Sequence, residues 1–385
     1  MARQRLMTDP RASLAPTEIP AALGYRMPAE WEPHAATWIA WPHNRSDWPG
    51  KFEAIPWVYA EVVRHLVAGE RVEVLVQSGI ARRNALEVLR RAHVRLPNVR
   101  FHPWPTNRGW TRDFLPLFLS RKRSGTVRVN RVPGVTLAPA RALVKWRFNG
   151  WAKYPDWRKD AAAAERIIRH TGLPCWRPTL EDGRRRRPVV LEGGSIDVNG
   201  RGTLLTTEEC LLGRPQQRNP GLSRKDLERV LSDYLGVSKI IWLGRGIVGD
   251  DTHGHVDDIA RFVAPDTVVA AVERNPKDPN HQPLAQNLAR LKSSTDQDGR
   301  PLRVVELPMP APVVFRGQRL PASYANFYIA NGIVLVPTFN DANDRPALNI
   351  LSELFPGRLV VPIYCGDFIW GLGAIHCATQ QQPAG

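Results

Sequence analysis

One unit of chain architecture recurs along these 385 residues, and it leaves few folds open. A short apolar strand runs through a turn into a second apolar strand. GSIDV-NGRG-TLLTT spans 194–207, DDIARFV-APD-TVVAAV spans 257–272 and ANFYIA-NG-IVLVPT spans 325–338. The first and third carry Asn-Gly, the strongest short hairpin signal. RDFLPLFLS-RKRSG-TVRVN at 112–130 reads as a fourth copy with a longer loop, and ATWIAWP at 36–42 opens a fifth. Between the hairpins, apolar spacing near 3.6 predicts helices over 53–68 (Pro56 in the first turn), 80–92, 158–171, 223–235, 283–292 and 344–354. Several lead into β-like runs: RVEVLV (71–76), KIIWL (239–243) and RLVVPI (358–363). Hairpin, helix and strand, repeated about five times, predict one closed or stacked α/β domain. The competing reading is an ordinary α/β sandwich with unrelated hairpins.

No Gly/Ser or Pro-rich linker divides the chain after residue 25, so 25–385 is expected to be a single domain behind a flexible tail of residues 1–24. MARQRLMTDPRASLAP lacks the apolar core of a secretory signal, and no apolar run approaches a membrane span. Cysteines at 175, 210, 365 and 377 form no CxxC pair, which argues against a zinc knuckle and a disulfide scaffold and for a reduced cytoplasmic compartment. The formal net charge of +16 makes nucleic acid or an anionic surface the first partner to weigh. Its one concentrated feature, Arg184 to Arg187 between Gly183 and Pro188, reads more simply as a solvated loop.

Polar residues out of place gather at the ends of the hairpins. In Trp110-Thr-Arg-Asp-Phe-Leu-Pro116, Asp113 stands where an apolar strand begins; a strand-entry cap would look the same. In Leu191-Glu-Gly-Gly-Ser195, Glu192 precedes two glycines that permit close backbone approach, or merely make a turn. Residues 249–258 hold two histidines and four aspartates. His253, His255 and Asp257 could ligate a metal, although no matching histidine cluster lies elsewhere. Alternatively His255 is a general acid/base with Asp257 two residues on, sharing its face if the segment is a strand. In Trp370-Gly-Leu-Gly-Ala-Ile-His-Cys377, glycines at 371 and 373 would let substrate approach the Cys377 thiol; a buried structural cysteine is the plainer alternative. His376, adjacent to the thiol, is a weak candidate for its base. Carboxylates disfavour a thiolate and an oxyanion, so a cysteine among aspartates suits a cationic substrate, best a guanidinium.

The chain resembles the agmatine deiminase family, which also holds the bacterial type of peptidylarginine deiminase. The resemblance runs through MPAEWEPHAATWIAWP (27–42), WTRDFLP (110–116), WRFNGWAKYPDW (146–157), LEGGSI (191–196), GDDTHGHVDDIARF (249–262), TFNDANDRPAL (338–348) and GAIHCATQQQP (373–383). It implies the pentein fold, a five-bladed α/β propeller. It also implies hydrolysis of agmatine to N-carbamoylputrescine and ammonia, a step of polyamine biosynthesis. Carried over by motif, Cys377 is the nucleophile, His255 the acid/base, Asp113 and Asp257 the guanidinium-binding pair, and Glu192 a neighbour of the substrate. Trp110 would pack along the aliphatic stem, Asp250 or Asp251 would meet the distal amine, and Gly373 would give access to the thiol. No metal or organic cofactor is required by this chemistry. Two segments depart from the family: RDFLP replaces the usual RDTGP, and Gly371-Leu-Gly373 replaces three glycines. Both are expected at the entrance, where they bear on substrate identity. Peptidyl-arginine or another guanidine is the alternative substrate. A non-catalytic or nucleic-acid-binding protein is the alternative of another class. The sequence leaves oligomeric state open, a homo-oligomer included.

Overall fold

The computed structural model describes residues 18–121, 139–182 and 185–385. Among them the repeated unit occurs five times, each as its own small sheet. One sheet joins Leu117–Ser120, Arg141–Val144 and Cys175–Trp176, and the next Asp197–Val198, Thr203–Thr207 and Lys239–Leu243. A third joins Ala260–Ala264, Thr267–Val272 and Arg303–Pro308, and a fourth Tyr328–Ala330, Ile333–Thr338 and Leu359–Tyr364. In all four the first two strands are antiparallel and the last two parallel. A parallel step needs a crossover. Helices Arg158–Thr171, Arg224–Leu235, His281–Lys292 and Asp344–Leu354 provide it.

The fifth sheet is assembled from both ends of the chain. His34–Ala40 pairs antiparallel with Gln380–Pro383 and parallel with Arg71–Leu75, across helix Ile55–Leu66; Val99–His102 extends the edge. Among the described residues no sheet closes on itself. The middle strands Thr203–Thr207 and Thr267–Val272 are buried along their whole length. Burial on both faces makes them continuous apolar or Thr-rich runs instead of alternating ones. Helix ends follow local chemistry: Ser223 and Asp226 form a capping box, and Gly172 and Gly236 end their helices in the left-handed region.

Four local expectations change. Asp113 lies in a helical turn, Thr111–Phe114, and the partner of Leu117–Ser120 is Arg141–Val144; the proposed strand at 126–130 lies outside the described residues. ATWIAWP opens no local hairpin, because its antiparallel partner is the C-terminal strand. His255 and Asp257 do not share a strand face: Val256–Asp258 is a 3-10 turn. Arg185–Pro188 is the second strand of a two-stranded ribbon with Thr179–Asp182, not a loop, and Arg187 donates to the Pro220 carbonyl. Residues 1–17 of the expected tail lie outside the described residues, while Ala21–Leu23 forms a short 3-10 turn. No helix among the described residues is long and apolar enough to cross a membrane.

Candidate active site

The sheets contribute to one region through equivalent positions, the turn just before each sheet's first antiparallel strand. Asp113 precedes Leu117–Ser120, Gly194 precedes Asp197–Val198, and Asp257 precedes Ala260–Ala264. Asn326 precedes Tyr328–Ala330, and Cys377 precedes Gln380–Pro383. The turns are stitched together. Arg112 N–H donates to the Cys377 carbonyl at 3.2 Å, and Gly194 N–H donates to Asp113 Oδ1 at 3.0 Å. Trp151 Nε1 donates to Asp113 Oδ2 at 2.9 Å.

Gly194 marks the centre. A Cβ there would lie 2.6 Å from His255 Nδ1 and 3.0 Å from both Asp113 Oδ1 and Asp257 Oδ2. So backbone without a side chain is what lets these three groups converge. Cys377 Sγ lies 3.7 Å from Asp257 Oδ2 and accepts a hydrogen bond from Asn326 Nδ2 at 3.2 Å. His255 sits between carboxylates, with Nδ1 3.9 Å from Asp113 Oδ1 and Nε2 3.5 Å from Glu192 Oε2. Neither His255 nitrogen, nor Asp257 Oδ1, makes a hydrogen bond among the described residues, although all three are buried. Orphaned buried polar atoms carry a penalty unless a ligand satisfies them.

A buried network holds this arrangement from behind. His376 lies between Asp257 (2.6 Å) and Glu30 (2.8 Å), and Glu30 also takes Arg112 (3.1 Å) and Arg261 (2.9 Å). Both His376 nitrogens are thereby committed. Glu192 is spanned by Arg218 Nε at 3.2 and 3.3 Å.

Charge states follow from burial and neighbours. Burial works against an imidazolium at His255, but Asp113, Cys210 and Glu192 outweigh it and hold its pKa well above the ordinary histidine value. Burial alone would raise the Glu192 carboxyl; Arg218 and His255 hold it below the usual range. Asp257 is likewise held low against burial by His376, then by His255 and Arg261. Burial raises Asp113 despite His255. The Cys377 thiol is pushed well up by burial and then by Asp257, Asp258 and Asp113. These shifts favour imidazolium and neutral thiol, and an added cation would favour thiolate.

A cavity of about 250 Å³ opens onto Cys377 and Asp113. Trp110, Trp151, Tyr154 and Trp370 give it aromatic walls, and Asp47 and Asp251 add acid. His255, Asp257 and Glu192 are not on its lining and are fully buried. Trp110 packs on Trp48 with ring centroids 5.3 Å apart, and Gly373 lies under it: a Cβ there would meet Trp110 Cζ3 at 3.0 Å and Cys377 Cβ at 3.2 Å. Asp251 lines the cavity and holds Lys153 and Tyr154. Asp250 does not line it: its carboxylate accepts from Thr252, Gly254 and His255 N–H groups and shapes its own loop. His253 lines a separate surface depression with Glu209 and Arg290. Glu192, Cys210 and His255 do come within 4.8 Å of one another, but Arg218 already spans Glu192.

The profile of the Porphyromonas-type peptidyl-arginine deiminase family matches residues 26–383. The chain belongs to this family. An agmatine deiminase of Pseudomonas aeruginosa is 37% identical over 396 residues, covering 96% of this chain and 98% of its own. The solved agmatine deiminase of Enterococcus faecalis has a TM-score of 0.84 at 31% identity, covering 97% of this chain and 99% of its own. A cysteine-to-serine variant of C. jejuni agmatine deiminase with substrate bound has a TM-score of 0.78 at 26% identity, covering 94% and 97%. Of the two departures from the family's motifs, only one reaches the entrance. Leu372 lines the cavity, whereas Phe114 and Leu115 are buried off it, Phe114 against Phe148.

Proposed function

We propose that the protein hydrolyses agmatine to N-carbamoylputrescine and ammonia, as a cytoplasmic step of polyamine synthesis, with residues 25–385 acting as one catalytic domain. We further propose that the five sheets are the blades of a five-bladed α/β propeller whose blade-entry turns make the site. The observation that carries the functional reading is the convergence of Asp113, His255, Asp257 and Cys377 around Gly194.

Asp113 and Asp257 grip the outer nitrogens of the guanidinium and hold its carbon before Cys377 Sγ. Such positioning supplies several kcal/mol of the barrier. The bound cation offsets the carboxylates that raise the thiol, so substrate binding promotes its own nucleophile. As the cation binds, the thiol loses its proton to solvent; the thiolate attacks the guanidinium carbon, and the C–N bond breaks as His255, already imidazolium, gives its proton to the departing ammonia. The neutral imidazole then takes a proton from water as water attacks the thiouronium carbon and the thiolate leaves. Glu192 stabilises the imidazolium form of His255.

The cavity supports a small substrate. Trp110 covers the aliphatic stem, and Asp251 meets the distal ammonium in exchange for Lys153. A space of about 250 Å³ with four aromatic walls suits a guanidinoalkylamine better than a peptide chain. Incubation with agmatine, free arginine and an arginine peptide, assaying ureido product, tests this. Turnover of agmatine at the highest kcat/KM is expected. Preference for the peptide overturns the substrate assignment.

A further inference from the structure

The fourth sheet also sends a residue into the site, and neither the sequence motifs nor the mechanism above uses it. Asn326 stands in the turn before Tyr328–Ala330, the position that holds Asp113, Gly194, Asp257 and Cys377 in the other repeats. It is fully buried. Its amide uses both of its faces. Oδ1 accepts from the backbone N–H of His376 at 3.1 Å and of Cys377 at 3.4 Å. Nδ2 donates to Asp258 Oδ1 at 2.9 Å and to Cys377 Sγ at 3.2 Å. The orientation is forced: backbone N–H groups only donate, so the oxygen must face them and the NH₂ must face the sulfur.

The charged side chains that act most strongly on the sulfur are acidic. Asp257 Oδ2 is 3.7 Å away. Burial and the carboxylates of Asp257, Asp258 and Asp113 raise the thiol, while Asn326 draws it back down. Asp258 is itself pushed well above the usual carboxyl range by burial and by Asp257 and Asp250.

We propose that Asn326 is a further catalytic residue: its N–H hydrogen bond stabilises the thiolate form of Cys377, with Asp258 as the positioning residue that fixes the amide. This rests on Cys377 being the nucleophile. A neutral N–H offers stabilisation of a buried anion without repelling the cationic substrate, which an arginine or lysine in that place would do.

The test needs no turnover. Alkylation of Cys377 by neutral iodoacetamide, followed by peptide mass, is measured against pH for wild type, Asn326→Ala and Asn326→Asp. Loss of the donor is expected to move the alkylation profile to higher pH in Asn326→Ala, and further in Asn326→Asp, where a carboxylate oxygen replaces the NH₂. Agmatine kcat/KM is expected to fall on the order of 10²-fold in Asn326→Ala, as for removal of one donor from a developing anion, with KM little changed. Should Asn326→Ala not fold, the isosteric Asn326→Asp carries the test. Profiles that coincide with wild type, or lost turnover with an unmoved profile, overturn the proposal. Wild-type protein that forms no ureido product would instead overturn the functional reading, whatever the alkylation profiles show.

Discussion

Replacing Gly194 with alanine probes the floor of the site with a single methyl group. Gly194 does not have a left-handed backbone, so alanine is tolerated there by the main chain. The new Cβ would sit 2.6 Å from His255 Nδ1, whereas ordinary contact begins at 3.4 Å, so the ring or the turn must yield by 3.4 − 2.6 = 0.8 Å. The same carbon would press Asp113 Oδ1 and Asp257 Oδ2 at 3.0 Å, so no direction of retreat is free of a site residue. A misplacement near 1 Å costs about 10²-fold in rate, or about 2.7 kcal/mol of transition-state stabilisation. Overpacking itself costs roughly 1–3 kcal/mol of stability, a few degrees in melting temperature for a chain of this size. The assay is ureido product from agmatine, with a thermal melt on the same sample. The expected result is kcat/KM lower by about 10²-fold in a folded protein. A folded Gly194→Ala protein within about threefold of wild type would refute the claim that the reacting atoms sit on this glycine.

Other outcomes follow from the same geometry. A cationic haloacetamidine should inactivate Cys377 at least about tenfold faster than the neutral haloacetamide, because only the cation offsets the surrounding carboxylates; equal rates would contradict this. The basic limb of kcat/KM against pH should lie above the ordinary histidine value of 6.5, since the raised His255 stays protonated below its folded pKa and loses its acid function as pH rises through it. Deleting residues 380–385 leaves Cys377 in place but strips the antiparallel partner from His34–Ala40 and the Trp38–Gln382 hydrogen bond of 2.9 Å; activity should fall by about 10²-fold or more, measured as ureido product. With a net charge of +16 on the protein, a modest rise in ionic strength should raise the apparent on-rate for a dication; a steep fall would show that the local acidic field dominates capture.

The repeat was legible because its turns carry strong local signals: Asn199-Gly200 and Asn331-Gly332 both place glycine in the left-handed region. The fifth sheet was not, since Gln380–Pro383 has no apolar pattern and its partner lies more than 340 residues away, as the bond from Trp38 to Gln382 shows. Strand periodicity put His255 and Asp257 side by side for the wrong reason. A 3-10 turn and a glycine from another sheet bring them together. Asp250 could not be told from Asp251 by composition; the difference is that one carboxylate closes its own loop and the other faces the cavity. Glu30, Trp151 and Asn326 are ordinary residues in sequence, and His376 stands out there only as the neighbour of the thiol. Their places come from buried hydrogen bonds between distant segments, such as the 2.8 Å contact of His376 with Glu30. The one available signal was positional: the turn before the first strand of each unit supplies the site, and that rule points to Asn326 without a motif.

The positive surface and the acidic cavity are compatible because screening confines each field to about 8–10 Å at moderate salt. Under the proposed function, selection of a cation is then local to Asp113, Asp251 and Asp257.

The most direct test of the central claim is rapid quenching of the protein with agmatine, followed by mass spectrometry of the Cys377 peptide and ureido analysis of the supernatant. The account predicts an adduct equal to agmatine less ammonia on Cys377 during turnover, and neither adduct nor product from Cys377→Ala. Product formed by Cys377→Ala at a rate near wild type would contradict it.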